Sequence, residues 1–197
     1  MSCEVATTEE ARRLFVRDRQ RKEQVHVLPG VFSREQCCAL SDAAEAAASA
    51  QGGWLSSRHA AFPTRDLPLS CFPEHVRSLY AGLVHTRLLA PAASLAGFAG
   101  PHQLYCRDLF VVKYDCSLGG QRELPPHMDG SLLSFSVLLS HEDDFTGGGT
   151  VFPHLQGRTI ALGQGDACLH SGSVMHAGAP VTSGTRVILV GFVDTKR

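Results

Sequence analysis

The stretch LPPHMDGSLLSFSVLLS, residues 124–140, sets His127 and Asp129 two positions apart, immediately before an apolar run. The run is short, rich in leucine, phenylalanine and valine, and preceded by a glycine, which is typical of a buried strand. Residues i and i+2 of an extended chain project to the same face. One imidazole and one carboxylate are therefore able to bind the same metal ion, although a lone His-x-Asp pair is common and needs a third ligand.

The third candidate ligand lies downstream, in LHSGSVMHAGAPVTSGTR, residues 169–186. There His176 stands near the predicted start of the last pair of strands, and a barrel-like sheet is able to bring such strand ends together. Two histidines and one carboxylate leave coordination positions open, which is the facial triad of non-haem Fe(II) oxygenases. Zinc is the main rival, because such a donor set also serves hydrolytic zinc, but the sequence contains no HExxH motif.

Arg186 distinguishes the Fe(II) oxygenase hypothesis from the zinc hypothesis. It directly precedes the apolar run VILVGFV of residues 187–193. A cation inside an apolar strand is costly unless it is paired, and a guanidinium offers a fork that fits a carboxylate. A metal and an arginine in one barrel predict a small dicarboxylate ligand, bound by the metal at one end and by Arg186 at the other. The alternative is an arginine at a strand edge that pairs with an aspartate or glutamate of the protein.

The second half of the chain is rich in short β-type runs separated by glycine, proline and aspartate. The runs are DLFVVKYD (108–115), LLSFSVLLS (132–140), GGTVF (148–152), RTIAL (158–162), DACLHSG (166–172) and TRVILVGFVD (185–194). Several short strands at close spacing predict a sandwich or barrel. Glycine-containing segments at 147–149, 163–166 and 182–185 are predicted to form the turns.

The first half is predicted to be mainly helical. Thr7 with Glu10 has the spacing of a capping box, and Ser33 is expected to cap a second helix. The predicted order is a first helix, a strand and turn at 25–33, a helix ending near residue 50, an ordered loop at 54–73, a helix at 73–89, and a loop with a short helix at 90–103. We treat residues 1–197 as one catalytic domain, with a mainly helical layer at 1–103 that buttresses a β core at 104–197.

Composition narrows the function classes. The net charge is −1 with histidine neutral, whereas a nucleic-acid binder usually has a basic surplus, so no nucleic acid is expected. No apolar stretch approaches the roughly 20 residues that span a bilayer, and the N-terminus lacks the apolar core of a secretory signal. The cysteines are seven, at positions 3, 37, 38, 71, 106, 116 and 168, with no CxxC motif. Reduced thiols and a cytoplasmic location are therefore expected.

From about Leu109 to Asp194 the chain resembles the 2-oxoglutarate- and Fe(II)-dependent dioxygenases, specifically their prolyl and lysyl hydroxylase branch. The resemblance rests on HMDGSLLSFSVLLS, DFTGGGTVF and GDACLHSGSVMHAGAPVTSGTRVILVGFVD in that order, and upstream on VLPGVFSREQCCAL. It implies a double-stranded β-helix, or jelly roll, in which His127, Asp129 and His176 hold Fe(II). It further implies that Arg186 binds the distal carboxylate of 2-oxoglutarate and that Tyr114 lines the cosubstrate pocket.

The implied reaction hydroxylates an unactivated C–H bond with O₂ as oxidant and with ascorbate as a supporting reductant. The expected substrate is a prolyl residue, less favourably a lysyl residue, in a protein or peptide. One alternative is an oxygenase of a free amino acid, another small molecule or a modified nucleobase; Phe192 stands where nucleobase repair enzymes carry a second arginine. The other alternative is a non-catalytic binding module on a jelly-roll frame.

Several weaker candidates complete the site. Trp54, Arg58, Thr64, Arg65 and Asp66 lie in the long loop, which is a candidate substrate lid. His170 is interpreted as a structural histidine, and a serine such as Ser134 or Ser136 as the substitute for a second tyrosine of the branch. Solvated positions are predicted for Arg107, Lys113, Arg122, Asp143 and Asp144, and helix packing for Cys37 and Cys38.

Overall fold

A computed structural model describes residues 6–59, 61–117 and 119–196. The predicted thiol at Cys3 lies outside the described residues. Two antiparallel sheets face each other, and helices from the first half of the chain cover one of them. The architecture is therefore mainly β with N-terminal helices, as the sequence predicts.

Each predicted run of the second half overlaps a strand. The strands are β1 Val25–Leu28, β2 Asp66–Pro68, β3 Leu104–Asp115, β4 Leu124–His127, β5 Leu133–Leu138, β6 Phe145–Gly147, β7 Thr150–Phe152, β8 Arg158–Ile160, β9 Ala167–Ser171, β10 His176–Gly178 and β11 Val181–Thr195. Of the strands in the second half, β4, β6 and β10 lie outside those runs. The large sheet has the order β1-β9-β5-β11-β3-β2, with β6 paired to β11, and the small sheet has the order β4-β10-β7-β8.

The helices are α1 Thr8–Arg17, α2 Arg19–Lys22, α3 Arg34–Ala50, α4 Glu74–Val84 and α5 Ala90–Ala96, with a π-helical segment His85–Leu89 between the last two. Both predicted N-terminal caps are present: Thr7 and Ser33 each accept from a backbone N–H of the first turn and form capping boxes. No helix in the described ranges is long and apolar enough to cross a membrane.

The loop with a short helix predicted for residues 90–103 is confirmed, since α5 covers Ala90–Ala96 and directly follows the π-helical segment. Pro91 lies in the first turn of α5, where a missing N–H is tolerated, and alanine favours helix. The helix ends at Gly97, which has φ +81° and supplies the left-handed cap that glycine adopts without strain.

Alternation along the strands divides the core in two. Leu109 and Val111 of β3 belong to the cluster beneath the helices, whereas Phe110, Val112 and Tyr114 belong to the cluster between the two sheets. The same alternation in β11 sends Leu189 towards the helices and Ile188 between the sheets. Every second residue of these two strands therefore faces the interior of the sheet pair, where the predicted site lies.

Two local predictions fail for reasons of tertiary pairing. Part of the predicted loop 54–73 forms β2, whose Asp66 pairs with Val112 at the edge of the large sheet. The predicted turn at 182–185 lies inside β11 instead: Gly184, with φ +72°, sits beside a register shift that lets the strand bend and pair with both β6 and β3. The other two predicted turns, at 147–149 and 163–166, connect strands as expected.

Candidate active site

Two paired strands bring the predicted metal ligands together. His127 ends β4, His176 begins β10, and the two residues are direct partners in the antiparallel pair. Asp129 follows β4, where its backbone N–H donates to the carbonyl of Gly172 at 3.0 Å. The Oδ1 atom of Asp129 lies 3.3 Å from Nε2 of His127 and 3.6 Å from Nε2 of His176. Three donor atoms therefore converge on one point.

Backbone carbonyls fix the orientation of both imidazoles. Nδ1 of His127 lies 2.9 Å from the carbonyl oxygen of Pro125, and Nδ1 of His176 lies 3.0 Å from that of Val174. A carbonyl only accepts, so each Nδ1 carries a proton, and in the neutral form of each imidazole Nε2 keeps its lone pair. This is the arrangement of metal-bound histidines, whose second nitrogen is almost always held by such a partner.

The electrostatics suit a cation at this point. Burial raises the pKa of Asp129, but hydrogen bonding from His127 and the nearby His176 outweigh it and hold that pKa below its usual value. Burial lowers the pKa of His176. Asp129 is therefore an anion and His176 is favoured as the neutral ligand form. Two nitrogen donors and one carboxylate, without thiolate, fit Fe(II) and other divalent first-row metals.

Arg186 lies on the central strand β11, directly across from Tyr114 of β3. Only 3% of Arg186 is exposed, and its guanidinium carbon lies 5.6 Å from the centre of the Tyr114 ring. No carboxylate of the described residues lies within salt-bridge distance of Arg186, so the alternative of an edge arginine paired within the protein is wrong. Burial lowers the pKa of Arg186 and raises that of Tyr114. A buried guanidinium without an anion is costly, and its planar fork fits a carboxylate.

The glycine turn at 147–149 packs against this arginine. All three glycines have positive φ. A Cβ on Gly148 would lie 2.8 Å from Cδ of Arg186, and one on Gly149 would lie 2.9 Å from the carbonyl oxygen of Ile160. The turn therefore approaches the arginine as closely as a chain without side chains allows.

One cavity of about 360 Å³ joins the metal ligands to Arg186. Every second residue along two neighbouring strands lines the cavity. These residues are Tyr114, Val112 and Phe110 on β3 and Arg186, Ile188, Val190 and Phe192 on β11. The cation and the tyrosine thus occupy one end of this apolar wall, and the rings of Phe110 and Phe192, 5.3 Å apart, occupy the other. We call the second end the entrance end.

The long loop closes the entrance end through a network of charges. Arg58 donates to Asp66 at 2.7 Å and to Asp108 at 2.8 Å, and Thr64 donates to Asp66. His59, Phe62 and Thr64 line the cavity. Of the predicted lid residues, Arg58, Thr64 and Asp66 therefore lie at or beside it.

The other two predicted lid residues face elsewhere. Trp54 packs under Lys113, whose ammonium is 2.7 Å from Glu45, and Arg65 pairs with Asp115 at 3.1 Å. The other predicted solvated groups also lie outside the cavity: Arg107 pairs with Asp194, Arg122 donates to the carbonyl of Cys116, and Asp143 and Asp144 are exposed.

Three residues at or beside the cavity are not among the residues predicted for the site: His59, Phe62 and Asp108. Asp108 carries a usable signal, because it stands in register with Tyr114 on alternate positions of one predicted strand. His59 and Phe62 carry none, since a loop has no periodicity from which a facing direction is derived.

His170, interpreted from the sequence as a structural histidine, lies on the cavity wall. Its ring is 4.5 Å from that of His176, and its Nδ1 lies 3.0 Å from the carbonyl of Ser171. Burial lowers the pKa of His170 to about 4. Ser134 and Ser136 also line the cavity, and the Ser134 hydroxyl is 2.7 Å from that of Ser131.

The described cysteines are all free thiols. Cys37 is buried in the core beneath α3, as the packing prediction requires, whereas its neighbour Cys38 is exposed. Burial raises the pKa of Cys37, Cys106 and Cys168 to about 12, which makes these three thiols poor nucleophiles.

Comparison with known proteins gives relatives in sequence over part of the chain. The chain is 41% identical over 88 residues to the multifunctional procollagen lysine hydroxylase and glycosyltransferase LH3 of Rattus norvegicus, which covers 43% of this chain and 12% of that protein. It is 42% identical over 115 residues to a PKHD-type hydroxylase of Maricaulis maris, covering 54% of this chain and 50% of that one. The chain thus spans from about an eighth to half of these relatives. No family model matches it.

Solved structures resemble nearly the whole chain. A Pseudomonas putida prolyl-4-hydroxylase superposes with a TM-score of 0.64 at 13% identity, covering 95% of this chain and all of the other. The α-ketoglutarate-dependent epimerase SnoN superposes with a TM-score of 0.65 at 20% identity, covering 95% and 83%. At such identities the likeness concerns the fold, which is the jelly roll. The chain is therefore similar in sequence to procollagen lysine hydroxylases and a PKHD-type hydroxylase and similar in fold to 2-oxoglutarate- and Fe(II)-dependent oxygenases, which confirms the resemblance inferred from its motifs.

Proposed function

We propose that residues 1–197 form one catalytic domain, a 2-oxoglutarate- and Fe(II)-dependent dioxygenase that hydroxylates an unactivated C–H bond. His127, Asp129 and His176 are the proposed Fe(II) ligands, and Arg186 with Tyr114 binds 2-oxoglutarate. The observation that carries this proposal is that three converging metal donors share a cavity with a buried arginine that has no carboxylate partner among the described residues.

Each side chain has a definable task in this reaction. The carbonyls of Pro125 and Val174 hold both imidazoles with Nε2 towards the metal position. Arg186 neutralises a carboxylate in a setting where water does not compete, which strengthens the charge-assisted hydrogen bonds. Bound Fe(II), together with 2-oxoglutarate, supplies the activation of O₂ for C–H hydroxylation. The apolar wall between Arg186 and Phe192 excludes water from the reacting centre.

We propose a prolyl residue of a protein or peptide as the substrate, in preference to a lysyl residue. Phe62, Phe110 and Phe192 line the cavity, and Asp129 is the one carboxylate among its described lining residues. A lysine ammonium would therefore lose its hydration without gaining a counter-ion, which is costly. An uncharged pyrrolidine ring carries no such cost. The relatives named as lysine hydroxylases favour the opposite choice, so the substrate test includes both.

A small-molecule substrate is the second candidate. The cavity volume falls within the range of about 300–1,000 Å³ that small-ligand pockets occupy. The similar structures include enzymes of antibiotic biosynthesis, such as SnoN from nogalamycin biosynthesis. A non-catalytic binding module is disfavoured because all four positions of the metal and anion site are retained.

The deciding experiment measures succinate formed from 2-oxoglutarate with Fe(II) and ascorbate, first without substrate and then with panels of proline and lysine peptides. Wild type is expected to form succinate slowly alone and faster with a proline peptide, which gains the mass of one oxygen atom. His127→Ala should abolish both signals, and Arg186→Ala should recover them only at high 2-oxoglutarate. Equal signals in all three proteins would refute the site assignment; turnover of free small molecules alone would refute the peptide substrate.

We also propose a cytoplasmic location, no nucleic-acid partner, and ascorbate as the reductant that keeps the iron in the ferrous state. The free thiols of the described cysteines agree with a reducing compartment. The near-neutral net charge gives no basic surplus for nucleic acid.

A further inference from the structure

Asp66 is an unusual carboxylate for a loop-and-edge-strand position, because none of its surface is exposed. Three groups surround it: Arg58 donates to Oδ1 at 2.7 Å, Thr64 donates to Oδ2, and Nδ1 of His59 lies 3.0 Å from Oδ2. A buried carboxylate with this many hydrogen-bond partners is held in one orientation. Asp66 therefore acts as a fixed anchor for the side chains around it.

His59 is held between this anchor and two aromatic rings. Its Nδ1 contacts Asp66 and, at 3.1 Å, the hydroxyl of Thr64. Its ring packs 4.8 Å from the ring of Phe110 and stands edge-on to Phe192 at 6.1 Å. Because Asp66 accepts from Nδ1–H, the tautomer of His59 that fits this contact has its lone pair on Nε2.

Nε2 of His59 has no hydrogen-bond partner within the part of the chain that the structure describes. The nearest carboxylate oxygen, Oδ2 of Asp108, is 3.8 Å away, beyond hydrogen-bond range, and is already occupied by Arg58 at 2.8 Å. His59 lines the cavity at the entrance end, beside the apolar wall that leads to the metal ligands. Nε2 of His59 is thus a fixed hydrogen-bond acceptor on the cavity wall.

We propose that His59 is a substrate-positioning residue whose Nε2 accepts a hydrogen bond from a backbone N–H of the polypeptide that carries the target residue. This inference rests on the proposed peptide hydroxylase function. The pyrrolidine ring of a prolyl residue offers no donor, so its placement over the metal has to come from its neighbours in the chain. An N–H of an adjacent residue supplies that donor, and the carboxylate behind His59 strengthens the acceptor.

The orientation of His59 is fixed because the cation of Arg58 holds the carboxylate of Asp66 in place. Arg58 bridges Asp66 and Asp108 and lies 5.2 Å from the centre of the Phe110 ring, so the guanidinium, the imidazole and the aromatic ring brace one another. An acceptor held this way costs little conformational entropy when it binds a ligand. The arrangement therefore favours a ligand with an N–H at one fixed distance from the reacting carbon.

The test compares His59→Phe, which keeps the ring contacts and removes both nitrogens, with His59→Gln, which restores a side-chain acceptor. Arg65→Gln is the matched loop control, because Arg65 pairs with Asp115 and does not line the cavity. The ligands are the best proline peptide of the wild-type panel and its analogues that carry a single backbone N-methyl group at each position in turn. Mn(II) binding and substrate-free succinate formation report on the rest of the site.

For wild type, one N-methyl position is expected to raise KM by about 3- to 10-fold, the weight of a single hydrogen bond between neutral groups. In His59→Phe the unmodified peptide should show the raised KM and that N-methyl group should have no further effect. His59→Gln should recover part of the difference, and Mn(II) binding, substrate-free turnover and kcat should stay within about twofold of wild type, since the metal ligands are untouched.

Two failures are distinguishable. If wild type hydroxylates the peptide and the same N-methyl position matters equally in His59→Phe and in Arg65→Gln, the positioning role is refuted while the peptide hydroxylase stands. If wild type hydroxylates no proline or lysine peptide but consumes 2-oxoglutarate, the substrate class is refuted and the role of His59 falls with it.

Discussion

The two ends of the cavity are built differently. The end that contains the metal ligands and Arg186, here called the metal and anion end, is built from strands. His127 and His176 are cross-strand partners, and so are Tyr114 and Arg186. The entrance end stands on a loop, which the pairs Arg58–Asp66 and Arg58–Asp108 hold against the edge of the sheet. One end is positioned by backbone register and the other by side-chain charges.

This difference assigns the chemical reaction to the strand residues and the choice of substrate to the loop. Register fixes an atom within the tolerance of a hydrogen-bonded ladder, which a metal site and a bidentate anion site require. A loop held by a few ion pairs is able to change its residues without moving those strands. Substitutions of the strand residues at the metal and anion end should therefore affect every substrate equally. Substitutions in the loop should affect some substrates more than others.

The largest effect is expected from removing a metal ligand at the metal and anion end of the cavity. His127→Ala should weaken Mn(II) binding by at least about 100-fold, more than the loss of an outer partner of a metal-bound histidine costs. Titration followed by the electron spin resonance of free Mn(II) measures this. Exposed His75→Ala is the control, and retention of tight binding in His127→Ala would contradict the assigned site.

Arg186→Gln should come next. The substitution keeps a hydrogen-bond donor but removes the charge and the fork, so the KM for 2-oxoglutarate should rise by roughly 10- to 100-fold, the range of a hydrogen bond to a charged group. Mn(II) affinity should change little. A raised Mn(II) dissociation constant with unchanged KM would mean that Arg186 supports the metal site and does not bind the cosubstrate.

At the entrance end, Arg58→Met should destabilise the fold and leave the strand-borne chemistry in place. The change leaves Asp66 buried beside Asp108 without their shared cation, and we expect a loss of about 2 kcal/mol in the free energy of unfolding. Urea denaturation measures it. The exposed pair Glu9–Arg13 gives the control, because Arg13→Met should cost less than about 0.5 kcal/mol.

Gly148→Ala tests how closely the glycine turn packs on Arg186. Its Cβ would press on Cδ of the arginine, so the KM for 2-oxoglutarate should rise several-fold. Gly157→Ala is the matched control, because Gly157 has a similar φ of +72° with no atom within 4 Å of its Cβ position. A similar rise of the KM for 2-oxoglutarate in both variants would contradict the role of the contact between Gly148 and Arg186.

The smallest effect is expected for Tyr114→Phe, which removes one hydroxyl beside Arg186. Loss of a single neutral hydrogen bond to the cosubstrate predicts a rise of about 3-fold in its KM. Double substitution with Arg186→Gln tests the coupling, because residues that bind the same carboxylate should not give additive effects. Strict additivity would place the Tyr114 hydroxyl outside the cosubstrate site.

The sequence predicts the strand end of the cavity well, for a physical reason. His127 and Asp129 share a face because extended chains have a period of two, and Arg186 stands out as a cation beside an apolar run. The entrance end is not predictable in this way. The contact of His59 with Asp66 depends on how a loop folds back onto an edge strand, and no local pattern encodes that return. The sequence predicts a turn at 182–185, inside β11, for the same reason, since a glycine in a strand and a glycine in a turn look alike locally.

Strand β11 pairs with β3, β5 and β6, and it carries the arginine of the anion site. Its partners lie far earlier in the chain, so their pairing closes long loops and costs chain entropy before it gains contacts. During synthesis, β1, β9 and β5 are able to pair with one another and β2 with β3, but only β11 joins these two parts of the large sheet. The residues that would bind 2-oxoglutarate are thus assembled late in folding, and a truncation that removes β11 should leave an aggregation-prone sheet edge and not a weaker enzyme.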